Sequence, residues 1–423
     1  MNCASQVNVA INGLSGFAST HHRVISLAEQ QGLCRLIGYC DHFPNSETSR
    51  TARSRFQLDT RAVPHFSDVE TMLGQLGSHC DLVMLPSPIH IHAHDHCVAV
   101  ERNVPCYLEK PPTLDPEELK SMIELDRFAV KPTRVGFHYM ANPQRLHLKE
   151  RMVRGEFDEL EQASMLGLWP RTRSYYKRSD WPGRLTFNGQ LLLDSVFGNA
   201  MAHFFHGLLF WANQEAVWGW SRATDVEAAL YRAHQIEESD TLFAEVKTAH
   251  DITLRFAVSH ASASRIEPIE LLHFSRAKIT YEEGLGGRIE WKDGRLEILD
   301  LENPDLHYVS ILEALRDIRQ DPQVTPRVSL ADCGTFVDLN ALFYIATPQI
   351  YTVPARSLRF TDDHIAIERI EEIAKGFVAE GRFPNRRSCS WAQPPGRATA
   401  NQLSELKSVV YKLGLGEPAA SPD

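Results

Sequence analysis

The chain has 423 residues, 43% of them hydrophobic, and a formal net charge of −10, a balance that argues against a nucleic-acid partner. No apolar run reaches bilayer-spanning length, and the N-terminal MNCASQVNVAING has no basic region leading into a long apolar stretch, so a cytoplasmic protein without a membrane partner is expected. Eight cysteines without CxxC spacing read as reduced thiols, and the length suits two domains with an added element.

Val7 to Ile11 reads as a short buried strand, and Asn12 to His21 as a small-residue turn. Arg23 to Gln31 then has helical character, with Gly32 as its stop. A second strand, Cys34 to Cys40, ends in Asp41. Asp81 to Leu85 is a third strand, broken by Pro86-Ser87-Pro88 and followed by a helix over His92 to Arg102. Val104 to Leu108 delivers Glu109-Lys110-Pro111, and Asp115 to Asp126 is an acid-capped helix. Alternating strands and helices predict a doubly wound parallel sheet covered on both faces. Lys131-Pro132-Thr133 breaks the chain before a strand over Arg134 to Tyr139.

Beyond His206 the pattern becomes strand-rich, with Asp240 to Thr248, Asp251 to Ser259, Ile266 to Phe274 and Ala277 to Tyr281. Neighbouring strands of this kind predict a mostly antiparallel sheet. Ser310 to Arg319, Ser329 to Tyr344 and Asp362 to Glu380 read as helices. A Pro-, Ser- and Gly-bearing extension from Asn385 carries a short helix over Gln402 to Leu413 and a frayed end over 414–423. The expected organisation is a dinucleotide-binding domain over 1–133, a substrate-binding α/β domain over 134–384, and a C-terminal extension over 385–423.

The first turn carries the start of a dinucleotide chemistry. A dinucleotide turn needs small residues at three places, for a tight bend, for backbone approach to pyrophosphate, and for helix-on-strand packing. Gly13, Ser15 and Ala18 occupy them, with Gly16 and Phe17 between, and the helix N-terminus favours the pyrophosphate charge. Asp41, at a strand end, can accept both hydroxyls of the adenosine ribose and repel a 2′-phosphate, favouring NAD over NADP; alternatively it opens a turn before Pro44. Gly13, Asp41, Ser87 and Lys110 all fall at carboxyl ends of strands, where such sheets bind ligands.

Together the Gly13 turn through His21, Asp41, the Ser87-Pro88 break with His92, Glu109-Lys110-Pro111, Val135 to Tyr139 and Asn199 to His203 resemble the Gfo/Idh/MocA oxidoreductases. The resemblance implies an N-terminal Rossmann domain, then an α+β domain whose large open, mostly antiparallel sheet forms the substrate pocket. It implies a cofactor site built on Gly13, Ser15, Gly16, Phe17, Ala18, Asp41, Ser87, Pro88, His92, Glu109 and Lys110. It also implies that Lys110 and His203 flank a reacting alcohol carbon. His203 is the better base by intrinsic basicity, and Lys110 the polariser or proton relay. The family's acid-x-Gly-x-His-x-x-Asp run is altered here, with Asn199, Met201 and His206 in place of the acid, glycine and aspartate. Asp194 can supply the missing carboxylate, so either Asp194 or Asn199 contacts substrate. The implied activity is NAD-dependent hydride transfer at a hydroxyl of a sugar, sugar acid or cyclitol. The alternatives are a glycosidase using NAD transiently and a non-catalytic relative. A homo-oligomer through the second sheet is the fold-level expectation.

Two further stretches stand out. Trp169 to Arg184 holds four aromatic residues and five cations against one acid. Trp169, Arg171, Tyr176, Arg178 and Trp181 there read as a carbohydrate-stacking, carboxylate-gripping loop, or else as a solvated or subunit-contacting basic loop. His90 to Cys97 spaces histidines as helical metal ligands are spaced. No distant ligand pair accompanies them and hydride transfer needs no metal, so no metal is expected.

Overall fold

The computed structural model describes residues 6–299, 304–319, 327–347, 349–387 and 389–414. They form two compact units. The first comprises Met1–Thr113, Glu117–Asn142 and Pro304–Cys333, and the second comprises Leu114–Pro116, Pro143–Asn303 and Gly334–Asp423. The linear division at 133/134 therefore leaves 304–333 on the far side of a boundary that its contacts cross. The end of the chain, 415–423, lies outside the described residues.

In the first unit, six strands alternate with helices: β1 (Val7–Asn12), α1 (Ala18–Gln30), β2 (Cys34–Cys40), α2 (Glu47–Arg55), β3 (His65–Phe66), α3 (Val69–Leu76), β4 (Leu82–Leu85), α4 (His92–Glu101), β5 (Cys106–Leu108), α5 (Pro116–Asp126) and β6 (Arg134–Val135). The strand order is β3-β2-β1-β4-β5-β6, with every pairing parallel. This is the doubly wound order whose switch point lies between β1 and β4. Val9, Ile11, Leu36, Leu82 and Met84 share one buried face, and Ala10, Val83 and Leu85, which alternate with them, are buried on the other, as a covered parallel sheet requires. The helix Leu306–Arg319 returns to this core through Ile311, Ala314 and Leu315. It is pinned by Tyr107–Ser310 at 3.1 Å and Arg23–Asp305 at 2.6 Å.

Three predicted boundaries are corrected. α1 begins at Ala18, five residues before Arg23, so Ser19, Thr20, His21 and His22 are helical. The strand predicted to Tyr139 stops at Val135, and His138–Ala141 is a 3₁₀ turn. The run 362–380 is a helix only over Ile370–Glu380; Ile365–Ile367 pairs with Leu358–Phe360, and Arg369 adopts a left-handed φ of 60° before the helix.

The second unit opens with α6 (Pro143–Val153) and β7 (Leu160–Leu168). Its ten-stranded sheet adds β8 (Ala223–Arg232), β9 (Thr241–Thr248), β10 (Thr253–Ser259), β11 (Ile266–Phe274), β12 (Ala277–Glu282), β13 (Gly286–Trp291), β14 (Leu296–Leu299), β15 (Tyr351–Thr352) and β16 (Gly396–Thr399). The order is β14-β13-β12-β11-β7-β10-β9-β8-β15, and β16 also pairs with β8. Only β7–β10 and β8–β15 are parallel, so the sheet is mostly antiparallel. Alternation along β10 serves two cores. Ala257 faces the helix Ile370–Glu380 with Phe377 and Val378, while Phe256 stacks on Phe205 at 4.4 Å. Phe205 belongs to α7 (Ala202–Trp211), which lies on that face beside α8 (Gly334–Ala346).

Candidate active site

The first unit gathers its functional side chains at the carboxyl ends of its strands. Gly13 has φ 130°, and a Cβ there would stand 3.0 Å from the Ala18 Cβ. It is glycine for its backbone and for the closeness of α1. Gly16, at φ 61°, has open space where a Cβ would project; Ser15 and Phe17 beside it are exposed. His22 locks the turn to α1 with Nε2 3.0 Å from the Gly13 carbonyl. Burial holds its pKa down at about 4, so the ring is neutral and Nε2 carries the donated proton.

Asp41 is buried at the end of β2. Its Oδ1 accepts from the Phe43 amide (3.1 Å) and the Ser49 hydroxyl (2.9 Å), and its Oδ2 from Arg53 (3.3 Å). The Ser87 hydroxyl and the Asn12 amide both donate to Asp95 Oδ2 at 2.7 Å, tying the ends of β4 and β1 to α4. Pro88 is exposed and opens a 3₁₀ turn, Ile89–Ile91. The buried His92 ring spans Ser87 O (2.7 Å) and Pro111 O (2.9 Å). Two carbonyl acceptors need both nitrogens protonated, whereas burial lowers the pKa against the pull of Asp95 and Glu109. A neutral ring donates to one carbonyl at a time.

His94, His96 and Cys97 each take a separate acidic partner. His94 faces Glu70 at 2.9 Å, His96 faces Asp126 at 3.1 Å and Cys97 faces Glu101 at 3.6 Å. Among the described residues no group of three or more His, Cys, Asp or Glu side chains is arranged to hold a metal ion.

Glu109 is buried and accepts from His21 at 3.0 Å. Burial opposes its charge, yet the His21 hydrogen bond, with His21, His307 and His138 nearby, holds its carboxyl down at about 2. Burial also pushes His138 and His307 below their ordinary range. Those two rings are then neutral near pH 7, and the His21 N–H is the contribution that survives. Gly136 makes room for this carboxylate, since a Cβ there would stand 2.8 Å from Oε1. Lys110 is half-buried, its peptide to Pro111 is cis, and its own amide donates to Glu109 Oε2 at 3.1 Å. His307, which the sequence reading missed, lies tilted against His138 with centroids 3.6 Å apart and meets Phe17 at 5.5 Å. No local motif announces it, because it arrives on the returning segment.

In the second unit Asp194, Asn199 and His203 lie on one short stretch. Asp194 Oδ1 accepts from Asn199 Nδ2 at 2.8 Å and Oδ2 from the Gly183 amide at 2.9 Å. The sequence left Asp194 and Asn199 as alternatives; the structure joins them. Val196–Ala200 is a π-helical turn capped by the Ser195 hydroxyl, and His203 is buried on the first turn of α7. His206 is instead packed in the core against Trp220 at 4.6 Å.

The 169–184 stretch divides. Trp169 packs edge-on against Phe204, next to His203, and donates to Glu267 at 2.9 Å. Tyr176 packs on His234 at 4.9 Å, and its phenol feels the Asp240 and Asp194 carboxylates. Arg171 and Arg178 lie over the Tyr175 ring at 4.3 and 3.7 Å, and Arg178 also over Trp181 at 5.0 Å. These aromatic faces are covered by guanidinium groups of the same loop rather than presented for stacking.

Tyr176 lines a cleft of about 1260 Å³ within this unit, with Arg173, Lys177, Arg184, Arg232 and Glu237 on its walls. It exceeds the ~300–1,000 Å³ usual for small-molecule pockets. Its Gly183 wall donates to Asp194 and accepts the Glu237 and Glu238 amides at 3.0 Å each.

Residues 7–137 match the family model described as an oxidoreductase family with an NAD-binding Rossmann fold, Gfo/Idh/MocA. No curated protein matches the chain. Solved structures share its fold. The WlbA dehydrogenase from Chromobacterium violaceum, in complex with NADH and UDP-GlcNAcA, has TM-score 0.65 and 19% identity over 81% of this chain and 93% of its own. The UDP-N-acetylglucosamine 3-dehydrogenase from Acidithiobacillus ferrooxidans has TM-score 0.62 and 17% identity over 79% and 95%. A levoglucosan dehydrogenase, in complex with NADH and levoglucosan, has TM-score 0.63 and 16% identity over 79% and 95%.

Proposed function

We propose, on the match of residues 7–137 to the Gfo/Idh/MocA oxidoreductase family model, that the chain is an NAD-dependent oxidoreductase acting on a hydroxyl of a carbohydrate or cyclitol. The observation that carries it is the half-buried Lys110, held beside an ionised, histidine-anchored Glu109 at the end of β5. The bend at Gly13 and the open space over Gly16 fit a dinucleotide backbone approaching α1. NAD, when bound there, supplies the hydride acceptor. Asp41 takes the ribose hydroxyls by sharing a carboxylate already bonded to Ser49 and Arg53.

Lys110 is assigned to polarise the substrate oxygen and steady negative charge developing on it. His203 is assigned to take the hydroxyl proton, with the Asp194–Asn199 pair orienting the sugar. The cleft beside Tyr176 holds the rest of the substrate, and Arg173, Lys177 and Arg184 favour one bearing a carboxylate or another anion. The carbohydrate ligands named for two structural relatives support this class.

Thermal-shift measurements with NAD and NADP test the cofactor, and absorbance of NADH with a panel of sugars, uronates and cyclitols tests the reaction. NAD should raise the melting point, and one panel member should produce NADH. Release of nitrophenol from a chromogenic glycoside without NADH accumulation would replace this reading with transient-oxidation glycoside cleavage. A protein that no nicotinamide cofactor stabilises would be a non-catalytic relative.

A further inference from the structure

Behind Asp194 lies a second carboxyl that the proposed chemistry does not use. Glu238 is fully buried, with Oε1 2.8 Å from the Tyr344 hydroxyl and Oε2 accepting the Ser239 amide at 2.9 Å. Tyr344, also fully buried on α8, has the Ser195 side chain as its next polar neighbour. The Ser195 hydroxyl oxygen accepts the Gly198 amide at 2.9 Å and so caps the π-helical turn that leads to His203. A second route joins the same points, because the Gly183 carbonyl holds the Glu238 amide while the Gly183 amide holds Asp194.

The stretch being held is under constraint. Leu193, immediately before Asp194, has a left-handed φ of 51°. Gly198 is hemmed in, since a Cβ there would stand 2.8 Å from the Leu193 carbonyl and 3.0 Å from the Ser195 hydroxyl. A π turn beside a strained residue persists only where its surroundings over-determine it, and such turns concentrate at functional sites.

We propose that Glu238 and Tyr344 are positioning residues for the Asp194–Asn199 pair and the turn carrying His203, with the proton on Glu238 deciding which way the Tyr344 hydroxyl donates. The inference rests on reading Asp194, Asn199 and His203 as working residues of the oxidoreductase. Tyr344 has one proton to give. With Glu238 neutral, the carboxyl O–H donates to the Tyr344 oxygen and the Tyr344 O–H donates to Ser195. With Glu238 ionised, the Tyr344 O–H turns to the carboxylate and Ser195 loses its donor. The charged and titratable groups facing Glu238 are Tyr344 from α8, Asp194 from the constrained stretch, the adjacent Glu237, and Arg232 from β8. Burial, reinforced by Asp194 and Glu237, pushes the Glu238 carboxyl up to about 8 against the Ser239 and Tyr344 hydrogen bonds. The Tyr344 phenol is held well above its own ordinary range, so it does not ionise there itself.

Selective ¹³Cζ-tyrosine labelling reads this without any substrate. Comparison with Tyr344→Phe assigns the Tyr344 resonance, which is followed from about pH 5.5 to about 9.5. It should titrate once, centred near pH 8, and Glu238→Gln should abolish that titration. A Tyr344 resonance that does not titrate, or that titrates equally in Glu238→Gln, overturns the proposal. With a panel sugar that is turned over, Tyr344→Phe should lower kcat about tenfold with KM held, and Glu238→Gln should remove the alkaline limb of kcat. A change in KM alone overturns the positioning role. If no sugar reacts, the tyrosine titration still decides the switch, and the oxidoreductase reading fails separately.

Discussion

Replacing Glu238 by Gln removes a titration while keeping the size and hydrogen-bonding capacity of the side chain. The native carboxyl sits at about 8 against an ordinary 4.5. Between those values the native state keeps a proton that the unfolded chain has released, so wild-type stability falls as pH rises. The contribution is fully present below pH 4.5 and lost as pH passes about 8. A gap of roughly 3.5 on the pH scale, at 1.36 kcal/mol each, sets a ceiling of ~5 kcal/mol. Glutamine cannot ionise, so Glu238→Gln should gain on wild type steadily between pH 5 and 8. At ~2–4 °C per kcal/mol for a unit of this size, the melting-point difference should move by at least ~5 °C across that range. Scanning calorimetry of both proteins in matched buffers measures it. Melting curves that differ by the same offset at every pH, or a variant that loses ground as pH rises, would refute the argument.

Four other substitutions read separate parts of the two units. Gly183→Ala places a Cβ 2.8 Å from Ile236 at φ 71°; it should cost ~1–3 kcal/mol in thermal unfolding and at least about tenfold in kcat by releasing Asp194. Asp41→Ala frees Arg53 and removes the repulsion toward a 2′-phosphate, so the NADPH-to-NADH affinity ratio in fluorescence titrations should rise about tenfold or more. Lys110→Ala should cut turnover by ~10²-fold or more while NAD still raises the melting point; unchanged turnover removes Lys110 from the mechanism. Arg145 is fully buried, bound to Glu270 at 2.8 Å and Glu283 at 2.9 Å, and lies 4.9 Å from the Trp211 and Tyr281 rings. Arg145→Met strands two carboxylates and should cost ~3–5 kcal/mol, read from denaturant midpoints.

The first unit was largely legible because its signals are local. A fully buried parallel strand such as Leu82–Leu85 is a continuous apolar run, and strand ends carry the polar residues that a switch point collects. The start of α1 escaped because Ser19, Thr20 and the two histidines have the composition of a turn. What makes them helical is tertiary: His22 bonds back to Gly13 and His21 reaches Glu109. The return of 304–333 was invisible for the same reason. Ile311, Ala314 and Leu315 give a helical face, but nothing in a helical face says which sheet it covers.

The second site shows the limit more sharply. Glu237 and Glu238 are adjacent acids in sequence, and only the fold reveals that one of the two is fully buried on a tyrosine. The same geometry explains residue 199. Asp194 and Glu237 already bear on the Glu238 carboxyl, and an acid at 199 would set a further carboxylate in direct contact with Asp194. Like charges that close cannot all ionise. The asparagine amide donates at 2.8 Å instead, which leaves Asp194 as the carboxylate of the pair and gives it a fixed direction.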